Sequence, residues 1–364
     1  MSGTQVLTGL DLPWGSPGGS VELLKDLYLG PSAPLPARTF MLGPDDGPAP
    51  GGQARPTLLD VPGKQLNGAG FWSYVERLTR ALTRHFPPGE QDVLHLQHLA
   101  FGAAPALLRG YPEHPAIALV HGTDLLFAEE FPTQLDVLGQ VAAAARTIVV
   151  PTAAMADRLR LLTPVEASRI VHVPWGVPDR LLTGPPARTV SREGDLRVLY
   201  AGRLTPEKGA AELVTAVSGA PGIRLSMASP LGEFQSLSQA MDTSAVRYLG
   251  WLSRPDLWAA FAEHDLLVIP SAKLEAFGLV AVEAQACGLP VAYQAVPGLT
   301  DALGDSALPL DFTGAPRRTR DALVRLASDR SALEELRSAG HRNASRFPLS
   351  RTAHELGRLT EQLR

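Results

Sequence analysis

The chemistry most legible in this chain is a pair of carboxylates around a helix start. In PSAKLEAFGLVAVEAQACGLPVA, Pro270 to Ala292, Glu275 and Glu283 stand eight residues apart around Phe277-Gly278. The run before them, DLLVIPS, has the length and composition of a buried strand, and Leu279 to Ala286 has helical composition. That places Glu275 on a strand-to-helix loop and Glu283 in the first turns of a helix. The first amides of a helix lack intrahelical acceptors and carry the positive end of its dipole, so the backbone of Phe277, Gly278 and Leu279 suits a phosphate. A diphosphate resting there would have one carboxylate on each side. The same glutamates also read as ordinary helix-start charges, which the dipole favours in any protein.

A second stretch, LYAGRLTPEKGAAELVTAV, puts Arg203 and Lys208 on the turn between a strand ending at Ala201 and a helix beginning near Gly209. Open parallel sheets bind ligands at the carboxyl ends of their strands, and two cations there fit a diphosphate. Near the N-terminus, Gly18-Gly19-Ser20 precedes a helix, where missing side chains admit a ligand to the backbone. It is not the G-x-G-x-x-G fingerprint, and Gly19 and Ser20 are its candidates for ligand contact. In AIALVHGTDLLFA an apolar strand delivers His121, with Thr123 and Asp124 behind it, to its carboxyl edge. In DVLHLQHLAFG, His98 follows its strand and is a candidate to line a ligand pocket, whereas His95 is expected to pack beside the strand. Gly250 and Trp251 follow another strand and are expected to offer backbone to a ligand.

The E-x7-E spacing, the PS before it, the FG inside it and the A-C-G-x-P-V after it resemble the donor-site signature of glycosyltransferase family 4, whose members have the GT-B fold. The resemblance implies an α/β chain with two Rossmann-like parallel-sheet domains facing across a cleft, and a C-terminal helix crossing back to the N-terminal domain. It implies that Glu283 binds the ribose hydroxyls of a nucleotide sugar and that Glu275 approaches the hydroxyls of the sugar being transferred. By the same resemblance Arg203 and Lys208 neutralise the departing nucleoside diphosphate, the Gly19-Ser20 loop touches donor phosphate and acceptor, and His121 lies near the transferred sugar.

Composition agrees with a soluble two-domain protein. The 364 residues are 45% hydrophobic and 19% charged. Lys and Arg number 12 against 16 Asp and Glu over residues 1–175, net −4, and 21 against 21 over the rest, net zero. Neither half is basic, which argues against nucleic acid and against docking on anionic lipid. Relatives that glycosylate membrane lipids use a basic amphipathic N-terminal helix, and none is legible here. The single cysteine, Cys287, excludes an internal disulfide framework and Cys-cluster metal sites, and between Ala286 and Gly288 it reads as a packed residue. With no signal-peptide pattern and no apolar run of about 20 residues, the expected location is cytoplasmic.

Short apolar runs alternate with helical stretches, the mark of parallel sheets covered by helices. In the first half the expected strands are Gln5–Leu10, Ala37–Leu42, Thr57–Val61, Val93–Gln97, Ile117–Val120 and Thr147–Val150, with helices over Val21–Leu29, Phe71–His85 and Gln134–Ala145. A Gly/Pro-rich surface loop is expected from Gly43 to Pro56. In the second half, strands are expected at Arg197–Ala201, Arg224–Ala228, Val246–Leu249, Asp265–Ile269 and Pro290–Gln294. The second half begins after the Pro/Gly-rich stretch from Pro174 to Asp195, whose first residues resemble the family's interdomain linker. The expected domains are residues 1–175 for the acceptor, 176–347 for the donor, and 348–364 as the crossing helix, whose Leu356, Leu359 and Leu363 share one face.

The resemblance, with these residues in place, implies retaining transfer of a glycosyl group from a UDP-, GDP- or ADP-linked sugar to a small soluble acceptor. No Asp-x-Asp pair is present, so no metal and no other cofactor is expected. No strong nucleophile or general base stands out, as the resemblance implies: retaining GT-B enzymes are thought to use front-face attack, in which His121 would orient rather than shuttle protons. Asp124, Glu129 and Glu130 would suit a cationic acceptor such as an amino-sugar natural product, or a small thiol or amine; they read equally as solvated helix-start charges. Two further classes are open: a nucleotide-sugar 2-epimerase, which shares the GT-B architecture but would carry its own acid/base carboxylates and lack the E-x7-E segment, and a sugar- or nucleotide-binding protein without turnover, which would have a degenerate site.

Overall fold

The computed structural model describes residues 5–30, 32–43, 55–89, 92–189 and 194–363. Most of the expected loop between Gly43 and Pro56 therefore lies outside the described residues. The chain forms two compact units, one of Met1–Trp175 with Leu349–Arg364 and one of Gly176–Pro348.

The first unit is built on β1 (Gln5–Pro13), β2 (Ala37–Leu42), β3 (Thr57–Leu59), β4 (Asp92–Leu96), β5 (Ala116–Leu119), β6 (Thr147–Val150) and β7 (Ile170–His172). They pair in parallel in the order β3-β2-β1-β4-β5-β6-β7. Parallel pairing requires a crossover between strands, and the helices that supply it cover both faces. That is why β5 and β6 read as unbroken apolar runs: Ala116 to Leu119 and Ile148 to Val150 are all buried. The last helix, Leu349–Glu361, belongs to this unit: Leu356 and Leu359 are buried, and Thr352 Oγ1 donates to the Pro174 carbonyl at 2.8 Å.

The second unit repeats the plan with β8 (Leu196–Ala201), β9 (Ile223–Ala228), β10 (Val246–Gly250), β11 (Leu266–Ile269), β12 (Val291–Gln294) and β13 (Leu308–Leu310), all parallel, in the order β10-β9-β8-β11-β12-β13. Its core packs Leu196, Val198, Leu225, Met227, Leu266 and Val268 of the sheet against Leu213, Val214, Leu323 and Leu326 of two helices.

Each sheet reverses its winding once, between β1 and β4 in the first unit and between β8 and β11 in the second. At such a reversal the two crossovers leave in opposite directions, and the crevice at the carboxyl ends of the strands stays open to a ligand. The sequence reading differs at the edges. Strand β5 begins one residue earlier than expected, and β3 stops at Leu59. Strands β7 and β13, each three residues long, were not expected, because IVH and LPL are too short to show a periodicity.

Candidate active site

In the second unit the reversal point brings two distant motifs together. Strand β8 ends at Ala201, and Thr205 leads into a single turn, Pro206–Lys208. Strand β11 ends at Ile269, and its loop reaches the helix Leu279–Ala286 through Gly278. The loops are zipped at the backbone, where Ala272 N–H donates to the Glu207 carbonyl at 2.8 Å. Gly209 sits in the left-handed region (φ +67), and a Cβ there would overlap the Pro270 carbonyl oxygen. Only glycine permits both. The outcome is that Lys208 Nζ forms an ion pair with Glu275, whose Oε1 also accepts from Ser271 Oγ at 2.8 Å. From below, Gly298 (φ +70) packs so closely that a Cβ would overlap the Glu275 carbonyl oxygen.

Arg203 leaves the same β8 loop half-exposed and pairs with Glu233 of the helix Leu231–Ala240. Glu233 also accepts from the Leu204 amide at 2.6 Å, so this carboxylate holds both the side chain and the loop that carries it. Sequence reasoning missed Glu233, which lies 30 residues from Arg203. The helix start after Gly278 is fixed by packing, with the Phe277 ring buried edge-on against Phe347 at 5.1 Å. Leu279 is the first residue of that helix, so its amide and those beside it point out of the N-terminus.

Glu283 is 5% exposed and both of its oxygens are engaged. Oε1 accepts from Arg254 Nη2 at 2.6 Å and Oε2 from Trp258 Nε1 at 2.8 Å. Neither partner was singled out in the sequence, although SRPD is a legible helix start. Ser253 accepts from the Asp256 amide as N-cap and Pro255 occupies the first turn. The cap sets Arg254 and Trp258 four residues apart on one face of the helix Arg254–Glu263. Trp251 is exposed just after β10, and the Gly250 carbonyl accepts from Ser229 N–H at 3.0 Å. Cys287 is buried and burial pushes its thiol up to about 12, so it is no nucleophile.

In the first unit β1 delivers the chain to Gly18, whose φ of 148° and open surroundings leave the start of the helix Gly19–Tyr28 uncovered, with Gly19 exposed and Ser20 half-buried. Across the reversal, His98 and His121 leave β4 and β5 with ring centroids 4.8 Å apart, and the His121 ring stacks on Trp175 at 5.5 Å. A hydrogen-bond chain fixes the His121 tautomer. Thr8 Oγ1 donates to the His95 carbonyl at 2.7 Å and therefore accepts from Gln97 Nε2 at 2.8 Å. That turns Gln97 Oε1 toward His121 Nε2 at 3.2 Å, so the proton of His121 belongs on Nε2 and Nδ1 is its acceptor nitrogen. Burial holds His121 down at about 3, neutral at physiological pH. His98 is likewise lowered, first by burial, then by its repulsion from His121 were both rings protonated, and by the Lys64 charge. His95, as expected, packs beside its strand: it is fully buried, with Tyr28 Oη on Nδ1 at 2.8 Å and Thr360 Oγ1 on Nε2 at 2.9 Å.

Two sequence expectations are corrected here. Asp124 is fully buried and faces no acceptor: its Oδ2 accepts from the Leu99 amide at 3.0 Å and its Oδ1 from the His121 amide at 3.3 Å. It ties the β4 and β5 loops together, and burial raises it to about 6 against the pull of backbone amides, that of Leu99 first. Glu129 is exposed but forms an ion pair with Arg158, while Glu130 and Thr123 are exposed at opposite ends of the helix Thr123–Glu130. Residues not anticipated stand nearby. Lys64 Nζ reaches the Asp11 carbonyl at 2.6 Å and its carboxylate at 3.3 Å, and lies 5.7 Å from the Phe101 ring centroid. Phe101 has φ 69°, rare for a non-glycine, and its amide donates to Gln134 Oε1 at 2.7 Å.

Comparison with known proteins follows the same division. The family described as "Glycosyl transferases group 1" matches residues 186–344, and "Glycosyltransferase Family 4" matches residues 38–181. The chain is 31% identical over 317 residues to a D-inositol 3-phosphate glycosyltransferase of Actinosynnema mirum, covering 78% of this chain and 75% of that one. The chain belongs to glycosyltransferase family 4. A second relative of this glycosyltransferase, from Stackebrandtia nassauensis and of the same name, is 32% identical over 302 residues, covering 74% of this chain and 68% of its own. Among solved structures, sucrose-phosphate synthase from Thermosynechococcus elongatus superposes with TM-score 0.79 at 18% identity over 99% of both chains. HepE of Anabaena, solved with UDP and glucose, superposes with TM-score 0.76 at 18% identity over 99% of this chain and 100% of its own. The fold of this glycosyltransferase is therefore GT-B. Among its described residues, no helix is long and apolar enough to cross a membrane.

Proposed function

We propose that this glycosyltransferase moves a sugar, with retention of anomeric configuration, from a nucleoside diphosphate sugar to a small soluble acceptor in the cytoplasm. The observation that carries the reading is the Lys208–Glu275 ion pair, which unites a cation for the diphosphate and a carboxylate for sugar hydroxyls at the winding reversal of one sheet. The leaving diphosphate gains negative charge in the transition state, and donors fixed there lower the barrier more than they tighten ground-state binding. Arg203, Lys208 and the amides at Gly278 and Leu279 are those donors. They take the place a divalent ion would otherwise have, so the reaction needs no metal.

The first unit is proposed to serve the acceptor, through His121, His98 and Thr123, with the Gly19-Ser20 helix start receiving negative charge. A histidine held neutral near pKa 3 is a poor proton acceptor at pH 7. We therefore assign His121 to orientation. The bond from the anomeric carbon to the diphosphate oxygen breaks, the acceptor oxygen bonds to the same face, and its proton passes to the departing diphosphate. The name of the Actinosynnema relative makes a cyclitol, free or phosphorylated, the first acceptor to try, with amino sugars second.

The test is incubation of the purified protein with UDP-, GDP- and ADP-hexoses and these acceptors. The expected result is acceptor-dependent release of one nucleoside diphosphate, an α-linked product from an α-linked donor by NMR, and unchanged rate with EDTA. Inversion of configuration, or loss with EDTA and rescue by manganese, would overturn the mechanism. Change of the donor sugar without diphosphate release would identify an epimerase instead.

A further inference from the structure

We propose that Arg254 and Trp258 are positioning residues for the nucleotide's ribose: they hold the Glu283 carboxylate in one orientation, so that its remaining lone pairs read the 2′- and 3′-hydroxyls. The inference rests on the reading above that Glu283 faces ribose, and adds the two side chains that make it selective.

An ionised glutamate offers about four lone-pair sites, and Arg254 and Trp258 take one on each oxygen, at 2.6 and 2.8 Å. Two sites remain, one per oxygen, which is the number that two vicinal hydroxyls require. With each oxygen tied to a different donor, the carboxylate plane cannot turn about its last torsion without breaking a bond. All three side chains are removed from water: Arg254 is 11% exposed, Glu283 6% at its side chain and Trp258 7%. A charge so placed is costly unless paired, so the pair is self-enforcing.

The two donors are themselves held. Both lie on one face of a capped helix, the Arg254 guanidinium stands 5.5 Å from the Trp258 ring centroid, and Arg180 lies over the same indole at 5.3 Å. Guanidinium over indole is a favourable cation–π arrangement. Charge alone would be satisfied by Arg254 in many geometries. The second, neutral donor from Trp258 adds no charge and adds direction, which is the property a hydroxyl reader needs.

The experiment measures binding of the nucleoside diphosphate, among UDP, GDP and ADP, that most raises the melting temperature, and of its 2′-deoxy counterpart. Trp258→Phe removes the N–H and keeps the packing; Arg254→Gln removes the charge. For the wild type the expected preference for the ribonucleotide is at least tenfold. In Trp258→Phe it falls below threefold, with kcat at saturating donor within threefold of wild type and a raised donor KM. Arg254→Gln follows the same pattern if it folds, and Trp258→Phe decides the matter if it does not. A Trp258→Phe enzyme that binds both nucleotides more weakly but keeps the full preference would show a structural role and overturn the inference alone. A wild type that binds no nucleotide, or one indifferent to the 2′-hydroxyl, would overturn the ribose reading and the inference with it.

Discussion

Replacing Lys208 by Met separates catalysis from stability more cleanly than any other single change in this enzyme. The Lys208–Glu275 pair is partly exposed, at 31% and 18% of the two side chains. Solvent-accessible ion pairs contribute about 0–1 kcal/mol, so folding should lose no more than that. For a unit of this size the melting temperature then falls by at most about 4 °C. On the proposed mechanism, the same ammonium meets at the transition state the charge that develops on the diphosphate. A charge-assisted hydrogen bond contributes roughly 1.5–3 kcal/mol, which at 1.36 kcal/mol per decade lowers kcat about 10- to 150-fold. Met also leaves Glu275 as an uncompensated carboxylate beside an anionic donor. The double variant Lys208→Met, Glu275→Gln is therefore expected to be less impaired than the product of the two single effects, as residues in direct contact are not additive. The assays are kcat from acceptor-dependent diphosphate release, nucleotide affinity by calorimetry, and thermal unfolding. A Lys208→Met enzyme with kcat within threefold of wild type would refute the reasoning, and so would a melting temperature lowered by more than about 10 °C, which would make the site's contribution structural.

Three further outcomes follow from the same geometry. His95 is held at about 3 by burial, so between that value and its unfolded pKa near 6.5 only the unfolded chain takes up its proton; stability is lost as pH falls through this window, by about 2 kcal/mol at pH 5 for His95 alone. His98 and His121 act in the same direction, whereas Asp124, raised to about 6, opposes them, its contribution being present at low pH and lost as pH rises through 6; a urea midpoint no lower at pH 5 than at pH 7 would count against the buried, neutral histidines. Gly298→Ala places a Cβ on the Glu275 carbonyl oxygen at a positive φ, and is expected to cost about 1–3 kcal/mol and to lower kcat by moving Glu275; unchanged stability and activity would show that the loop yields freely. His121→Asn is expected to lower kcat without altering the shape of its pH profile between pH 6 and 8, because a group at about 3 does not titrate there; a wild-type limb near 6.5 that vanishes in the variant would restore a proton-transfer role to His121.

The fold was written in contiguous residues, because parallel strands buried on both faces must be short apolar runs and the crossings between them must be helical. Motif ends were equally local. Gly278 before Leu279–Ala286 and Gly18 before Gly19–Tyr28 mark helix starts that a reader of ten residues can find. That locality also explains the omissions: β7 and β13 are too short to carry a period, and a carboxylate such as Asp124 looks the same in sequence whether it is solvated or clamped between two loops.

What each side chain touches was settled by sheet order. Lys208 meets Glu275 across 67 residues because β8 and β11 are neighbours at the winding reversal, and Arg203 meets Glu233 because β9 flanks β8 on the other side. His95 became a structural residue only when a helix 265 residues later brought Thr360 against it. Local sequence sets torsional preference and polarity, which act over a few residues. Partnership at these separations arises only when burial of both sheet faces selects one packing, and with it the register in which distant side chains face each other.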